Sequence, residues 1–167
     1  MCSSDLLDLL NALARGEAFH QSASVQRQES GTAQYPQARV LVVDDEKVIS
    51  SALGRILTRA GHEVTIANHG VDAMNIVESA KVSFDFCFAD LLMPEISGAV
   101  VLDFIKKRMP HCTVFMMTAY GDISVREDLL RRGAAKVLAK PFEDITKIPE
   151  LLQSNAGTGA NTPNPKQ

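Results

Sequence analysis

Five short apolar runs, each followed by a segment with helical periodicity, constrain the fold of this chain more than any other feature of its sequence. The runs predict strands at about 38–44, 63–67, 84–89, 112–117 and 136–139, and the other segments predict helices at about 46–60, 70–80, 97–109, 122–132 and 143–153. The first, third and fourth runs are apolar almost throughout, as is typical of parallel strands buried on both faces. Because β-α-β crossovers are right-handed, this alternation predicts a doubly wound α/β sheet with helices on both sides.

Polar side chains lie at the ends of four of these runs. Asp44 and Asp45 close the first run, Asp90 closes the third, Thr118 follows the fourth and Lys140 follows the fifth. The carboxyl ends of parallel strands meet at one edge of the sheet, where open α/β proteins bind their ligands. Carboxylates suit a divalent cation, and an amine and a hydroxyl suit phosphoryl oxygens. The pattern therefore predicts a phospho-accepting aspartate site.

The chain has 167 residues, which is enough for one domain with tails. We expect an N-terminal extension over 1–36, a globular domain over 37–153 and a disordered tail over 154–167. Leucines in the extension predict a short helix over 5–15, followed by a Gln- and Ser-rich flexible linker. Isolated helices of this length are marginal in water, so we expect this helix only against a partner or weakly held on the domain surface.

Composition excludes several classes of function. A net charge of −3 and the absence of Trp give no basis for binding nucleic acid. No apolar run approaches the roughly 20 residues that span a bilayer, and the start of the chain lacks the basic region of a signal peptide. We therefore expect a cytoplasmic protein without a membrane partner, in which Cys87 and Cys112 are buried free thiols. The histidines, including His62, show no partner spacing and are expected on the surface.

Over roughly residues 38–153 the chain resembles the receiver domain of two-component response regulators. The resemblance is carried, in order, by the segments VLVVDDE, FADLLMPEISG, MMTAYGD and AKPFE, and MTAYGD is most similar to receivers of the nitrogen-regulatory type. This likeness implies a flavodoxin-like (βα)5 fold with five parallel strands in the order 2-1-3-4-5.

The resemblance also implies the roles of the acidic residues. Asp90 corresponds to the phosphorylated aspartate and Asp45 to a direct Mg²⁺ ligand. Asp44 corresponds to the neighbour that holds the metal partly through water, and the backbone carbonyl of Leu92 to a further ligand. An oxygen ligand set of this kind suits Mg²⁺, which keeps several of its waters.

Two further residues correspond to contacts with the phosphoryl group. By resemblance, Lys140 pairs with one phosphoryl oxygen and Thr118 hydrogen-bonds another. The Lys140–Pro141 peptide bond is expected to be cis, as in the family. Gly98, at the start of the third helix, is expected to allow close backbone approach near Pro94.

The chain departs from the family pattern at three positions. Val137 stands where the family has a switch aromatic, so rotation of a ring cannot report phosphorylation. Leu92 and Tyr120 flank the approach of a hydrolytic water by resemblance, and neither orients water as a carboxylate or amide would. We therefore expect slow autodephosphorylation.

The leading hypothesis is a single-domain receiver that takes a phosphoryl group from a histidine kinase or phosphotransfer protein and catalyses its own phosphorylation. Its output would be a conformational change at the face of the fourth helix, fifth strand and fifth helix, read by an unidentified protein target or by a phosphorylation-dependent homodimer. Two alternatives stay open: a phospho-independent receiver-like interaction domain, and a fragment of a hybrid histidine kinase. A haloacid-dehalogenase-like phosphatase would need an acid at Leu92.

Overall fold

A computed structural model of the protein describes residues 37–119 and 122–155. Strands and helices alternate along the described chain, as the apolar runs predict. The strands are β1 (Arg39–Val43), β2 (Glu63–Ala67), β3 (Phe86–Asp90), β4 (Thr113–Thr118) and β5 (Lys136–Ala139). The helices are α1 (Lys47–Arg59), α2 (Gly70–Ser79), α3 (Gly98–Arg108), α4 (Ile123–Arg131) and α5 (Ile148–Asn155).

The five strands form one parallel sheet in the order β2-β1-β3-β4-β5. This arrangement confirms the predicted doubly wound, flavodoxin-like fold. β3 occupies the centre of the sheet, and all five of its residues are buried. The neighbouring strands β1 and β4 are also buried except at their first residues. A strand that is covered by helices on both faces of the sheet needs apolar side chains on both faces.

Two hydrophobic layers cover the two faces of the sheet. Alternate residues of β1 separate between them: Leu41 and Val43 join the layer that contains residues of α2, α3 and α4, whereas Val40 and Val42 join the layer that contains residues of α1 and α5. Phe115 of β4 lies in the second layer, and its ring stacks on Phe88 at a centroid distance of 5.0 Å. Because successive side chains of a strand point to opposite faces of the sheet, each central strand contributes alternate residues to the two layers.

The ends of the helices largely follow their sequence signals. Gly61 and Gly133 adopt φ values of 96° and 102° just after α1 and α4, a conformation that glycine tolerates at helix ends. Asp122 caps α4 by accepting a hydrogen bond from the Ser124 amide at 2.8 Å. Ser97 occupies the corresponding position before α3, but its side chain makes no capping hydrogen bond.

Two features differ from the sequence-based expectations. The fifth helical segment begins with a 3-10 turn over Ile145–Lys147, and α5 itself starts only at Ile148. Pro149 then lies in the first turn of α5, where its missing amide hydrogen costs no helical hydrogen bond. His62 is 5% exposed, so the prediction of a surface histidine is wrong at this position. Its Nδ1 accepts a hydrogen bond from the Ala38 amide at 3.3 Å, which links the segment before β2 to the segment before β1.

Other expectations are confirmed or lie outside the described residues. Cys87 and Cys112 are free and buried, as predicted. Within residues 37–119 and 122–155, no helix is both long and apolar enough to cross a membrane. The predicted helix at 5–15, its linker, Tyr120 and residues 156–167 lie outside the described residues. The first two residues of the predicted tail, Ser154 and Asn155, instead form the last residues of α5.

Candidate functional site

The predicted site residues meet at the carboxyl edge of the sheet. Asp90 is the last residue of β3 and Thr118 the last residue of β4. Asp44 directly follows β1, and Lys140 directly follows β5. Because these four strands are consecutive neighbours in the sheet, their ends present the four side chains to one small region.

Lys140 joins two buried carboxylates. Its Nζ lies 2.7 Å from Oδ2 of Asp44 and 3.2 Å from Oδ1 of Asp90. The three side chains are 7%, 0% and 7% exposed, respectively. A third acidic group, Glu46, approaches the same Nζ at 3.5 Å but is mostly exposed. The lysine thus compensates charge that burial would otherwise make costly.

The three aspartates form a cluster that fits a divalent cation. Asp44, Asp45 and Asp90 each present a carboxylate oxygen, and these oxygens all lie within 4.8 Å of one another. Asp44 is oriented by the Glu46 amide, which donates to its Oδ1 at 3.0 Å. Hard carboxylate oxygens at such spacing are the ligands that Mg²⁺ takes in proteins, so the residues present fit the metal that the sequence predicts.

Burial and charge oppose each other in this site. Burial raises the pKa of Asp44 and of Asp90, although Lys140 draws both values down. Burial would lower the pKa of Lys140, but its hydrogen bonds and attraction to the two carboxylates outweigh this effect and raise the pKa. Because three clustered carboxylates share one lysine, the site has an excess of negative charge that a divalent cation would offset.

The backbone of the loop after β3 makes hydrogen bonds close to Asp90. The Leu91 amide donates to the Met117 carbonyl at 2.8 Å, which ties the loop to β4. A backbone hydrogen bond from Leu92 helps to hold the Asp90 carboxylate, while the Leu92 side chain is 53% exposed. Glu95, farther along this loop, has a φ of 63°, a left-handed conformation that is uncommon for a residue with a side chain.

The ends of β4 and β5 are also joined. The Lys140 amide donates to the Thr118 carbonyl at 2.8 Å, and Thr118 is buried. The Lys140–Pro141 peptide bond is cis. Val137 is buried in β5, and Ala119 is exposed beside the site.

Glu46 was not among the predicted site residues, although its carboxylate lies 3.5 Å from Nζ of Lys140. Its place near the site could have been predicted from the sequence, because Glu46 is the third of three consecutive acidic residues after β1. Its exposure and its position at the N-cap of α1 make it a second, weaker partner for the lysine.

Comparisons with known proteins agree with this geometry. Residues 40–153 match the family model for the response regulator receiver domain. The response regulator protein FleR of Pseudomonas aeruginosa is 36% identical over 106 residues, covering 64% of this chain and 22% of FleR. The DNA-binding transcriptional regulator NtrC of Proteus hauseri is 32% identical over 114 residues, covering 68% of this chain and 24% of NtrC. The chain therefore spans about a quarter of the length of these curated relatives.

Solved structures show the same likeness. A response regulator receiver domain protein from Clostridium thermocellum has a TM-score of 0.65 and 30% identity, covering 71% of this chain and 93% of that one. A response regulator protein from Burkholderia pseudomallei, solved with a phosphorylated aspartic acid, a calcium ion and citrate, has a TM-score of 0.64 and 29% identity. That match covers 72% of this chain and 69% of the other.

Proposed function

Because this chain belongs to the response regulator receiver domain family, we propose that Asp90 accepts a phosphoryl group from a histidine kinase or a phosphotransfer protein. One observation carries the assignment: among the clustered carboxylates, Asp90 combines a position at the end of the central strand with a direct contact to Lys140. The phosphorylated aspartic acid in the Burkholderia pseudomallei relative supports the same chemistry.

In the proposed reaction, a carboxylate oxygen of Asp90 attacks the phosphorus atom of a phosphohistidine. The new O–P bond forms as the P–N bond breaks, and the bonding electrons return to the imidazole nitrogen of the donor. Lys140, charged and already 3.2 Å from Oδ1 of Asp90, is placed to neutralise a phosphoryl oxygen. The hydroxyl of Thr118, at the end of the neighbouring strand, is proposed to hydrogen-bond another.

Asp44, Asp45, Asp90 and the backbone carbonyl of Leu92 are the groups that we propose hold Mg²⁺. When bound, this cation would offset negative charge on the transferring phosphoryl group. Lys140 contacts both Asp44 and Asp90, so its positive charge partly offsets the repulsion between the two carboxylates when no cation is bound.

The acceptor assignment is tested with a small phosphodonor. Wild-type protein, incubated with acetyl phosphate and Mg²⁺, should gain the mass of one phosphoryl group, and peptide mapping should place it on Asp90. Asp90→Asn should abolish labelling because the amide is not a nucleophile. Asp85→Asn is the matched control, since Asp85 is exposed and precedes the other end of β3. Undiminished labelling of Asp90→Asn would contradict the assignment.

The metal assignment has a separate test. Asp45→Ala should weaken Mg²⁺ binding, measured by calorimetry on unphosphorylated protein, and should slow labelling by about a hundredfold. EDTA should stop the labelling of wild-type protein. A labelling rate that EDTA leaves unchanged would remove the cation from the proposal while leaving Asp90 as acceptor.

The proposed output surface is formed by α4, β5 and α5. Only one residue of α4, Leu129, is buried, whereas Ile123 and Leu130 are exposed apolar residues on the same helix. Thr118 and Lys140 are joined by a backbone hydrogen bond. A shift of Thr118 toward the phosphoryl group would therefore also displace the backbone that follows β5. Val137 cannot supply the ring rotation of a switch aromatic. The protein target, or a phosphorylation-dependent homodimer, is proposed to read this surface.

We propose that the domain acts in the cytoplasm and recognises proteins rather than nucleic acid. The free, buried thiols of Cys87 and Cys112 suit a reducing compartment. The net charge of −3 gives the chain no general attraction for phosphate backbones.

A further inference from the structure

Gly98, the first residue of α3, lies closer to the backbone of Asp90 than any residue with a side chain could. A Cβ atom on Gly98 would lie 1.9 Å from the carbonyl oxygen of Asp90 and 2.8 Å from its carbonyl carbon. Even favourable carbon–oxygen contacts keep these atoms roughly 3.3 Å apart. The position therefore requires glycine for space, because both atoms that would be displaced belong to backbone.

A short chain of hydrogen bonds makes this contact part of the site. The Gly98 amide donates to the Leu91 carbonyl at 3.0 Å, and the Leu91 amide donates to Met117 of β4 at 2.8 Å. The residue that follows the loop, Gly98, is therefore hydrogen-bonded to the first residue of the loop, Leu91, which adjoins Asp90. The same loop supplies the Leu92 backbone hydrogen bond to the Asp90 carboxylate.

A second glycine limits this loop from another side. A Cβ atom on Gly70, at the start of α2, would lie 2.8 Å from the carbonyl oxygen of Ile96. The first residue of α3 thus packs against the beginning of the loop, and the first residue of α2 packs against its end. The loop has little room to move if a side chain is added at either glycine.

We propose that Gly98 is a positioning residue for phosphoryl transfer, which lets α3 pack directly on the Asp90 carbonyl and so fixes the acceptor carboxylate relative to Asp44 and Lys140. This inference rests on the proposed function of Asp90. A methyl group at position 98 must displace the backbone of Asp90 or Leu91, and the carboxylate moves with that backbone. Phosphoryl transfer depends steeply on such placement, since its catalysis is mostly alignment and charge compensation.

The experiment compares Gly98→Ala with Gly54→Ala. Gly54 is the matched control because it is also a buried glycine in a helix, and its added Cβ would meet the flexible side chain of Ile66, at 2.9 Å from Cδ1 and 3.7 Å from Cγ1. Alanine favours helix more than glycine does, so a defect confined to position 98 cannot come from helix propensity. Each variant is labelled with acetyl phosphate in saturating Mg²⁺, and the ¹³C shift of the Asp90 side-chain carboxyl is recorded without donor.

Gly98→Ala is expected to lower the maximum labelling rate about tenfold or more, with little change in the half-saturating donor concentration. Its Asp90 carboxyl shift should also move. Gly54→Ala should retain both wild-type values. Equal rates and equal shifts in the two variants would overturn the proposal. A wild-type protein that takes no label would contradict the proposed function instead, and the carboxyl shifts would still test the positioning.

A measurement on the wild-type protein covers the case in which Gly98→Ala does not fold. If the contact holds the acceptor, the Gly98 amide should exchange its hydrogen as slowly as the amides of β3. Exchange as rapid as that of an exposed loop amide would show that α3 does not hold Asp90 in place, and would overturn the proposal.

Discussion

Lys140 is shared by two carboxylates, and this sharing governs what each acidic residue contributes to stability. Asp44 lies 2.7 Å from the lysine and Asp90 lies 3.2 Å from it, so removal of one acid leaves the ammonium group with a close partner. Burial raises the pKa of Asp90 above its ordinary value of 3.8. Ionised Asp90 at neutral pH therefore costs folding free energy, a cost that the proposed function explains.

Asp90→Asn should stabilise the unphosphorylated protein at pH 7 by about 1 kcal/mol. The folded state keeps the Asp90 proton to a higher pH than the unfolded state does. Stability is therefore lost as pH rises from about 3.8 through the raised pKa, and an amide avoids that loss. Urea denaturation at pH 7 measures the gain, which should shrink as the pH approaches 4. Glu127→Gln, at an exposed position of α4, should change stability by less than about 0.5 kcal/mol. A less stable Asp90→Asn variant would show that the ion pair outweighs desolvation.

His62 makes stability depend on pH near neutrality. Burial lowers its pKa below 6.5, and its Nδ1 must stay unprotonated to accept the Ala38 amide hydrogen. A lowered folded-state pKa gives stability that is complete above pH 6.5 and is lost as pH falls through the folded value.

Wild-type protein should therefore lose about 1 kcal/mol more than His62→Asn between pH 7 and a pH well below 6.5. Asparagine can offer an acceptor oxygen to the Ala38 amide but does not titrate. Denaturation curves at several pH values measure the difference. His111→Asn, at an exposed histidine, should follow the wild-type curve. Parallel curves for wild type and His62→Asn would show that this histidine is not the titrating group.

Among the elements, the central strands were readily predicted from the sequence, and the connecting segments were less so. β1, β3 and β4 are apolar because both faces of the sheet are covered, and that composition is visible without a structure. The strand order came from family resemblance, because periodicity does not say which strands are neighbours. The burial of His62 depends on packing between two segments 24 residues apart, so no local pattern carries it. Likewise, the sequence predicted a close backbone approach at Gly98 but placed it near Pro94, whereas the structure shows it at Asp90 and Leu91.

The loop between β3 and α3 carries a prediction about the lifetime of the phosphoryl group. The Leu92 side chain is 53% exposed beside the acceptor and offers no polar atom to orient a hydrolytic water. Phosphorylated wild-type protein should therefore decay on a timescale of hours in Mg²⁺ buffer. Leu92→Asn should shorten the lifetime about tenfold, because an amide can align water for attack on phosphorus.

The decay is followed by intact mass after removal of the phosphodonor. Val82→Asn replaces a similarly exposed apolar residue before β3 and should leave the lifetime unchanged. Tyr120→Glu tests the second flanking position in the same way. Wild-type decay within seconds would show that the apolar side chain does not protect the phosphoryl group.

For the whole molecule, we propose that the folding and signalling unit extends from residue 37 to the end of α5 at Asn155, two residues beyond the predicted boundary, with an extension over 1–36 and a tail over 156–167. A protein that lacks residues 1–36 should keep its melting temperature within a few degrees and should label at the wild-type rate, because the described sheet and its helices supply both hydrophobic layers. Thermal denaturation and acetyl phosphate labelling test both statements. A large loss of either property would make the extension an integral part of the domain.

The central position of β3 also determines where the molecule is mechanically stiff. Asp90 is the last residue of a strand that is buried along its whole length and hydrogen-bonded to a neighbouring strand on each side. A strand held in this way has little free space in which to move when a phosphoryl group is added to its last residue. We propose that the displacement passes instead to the periphery of the sheet, where α4 has one buried residue, Leu129, and one partly buried residue packed on the core, Val125.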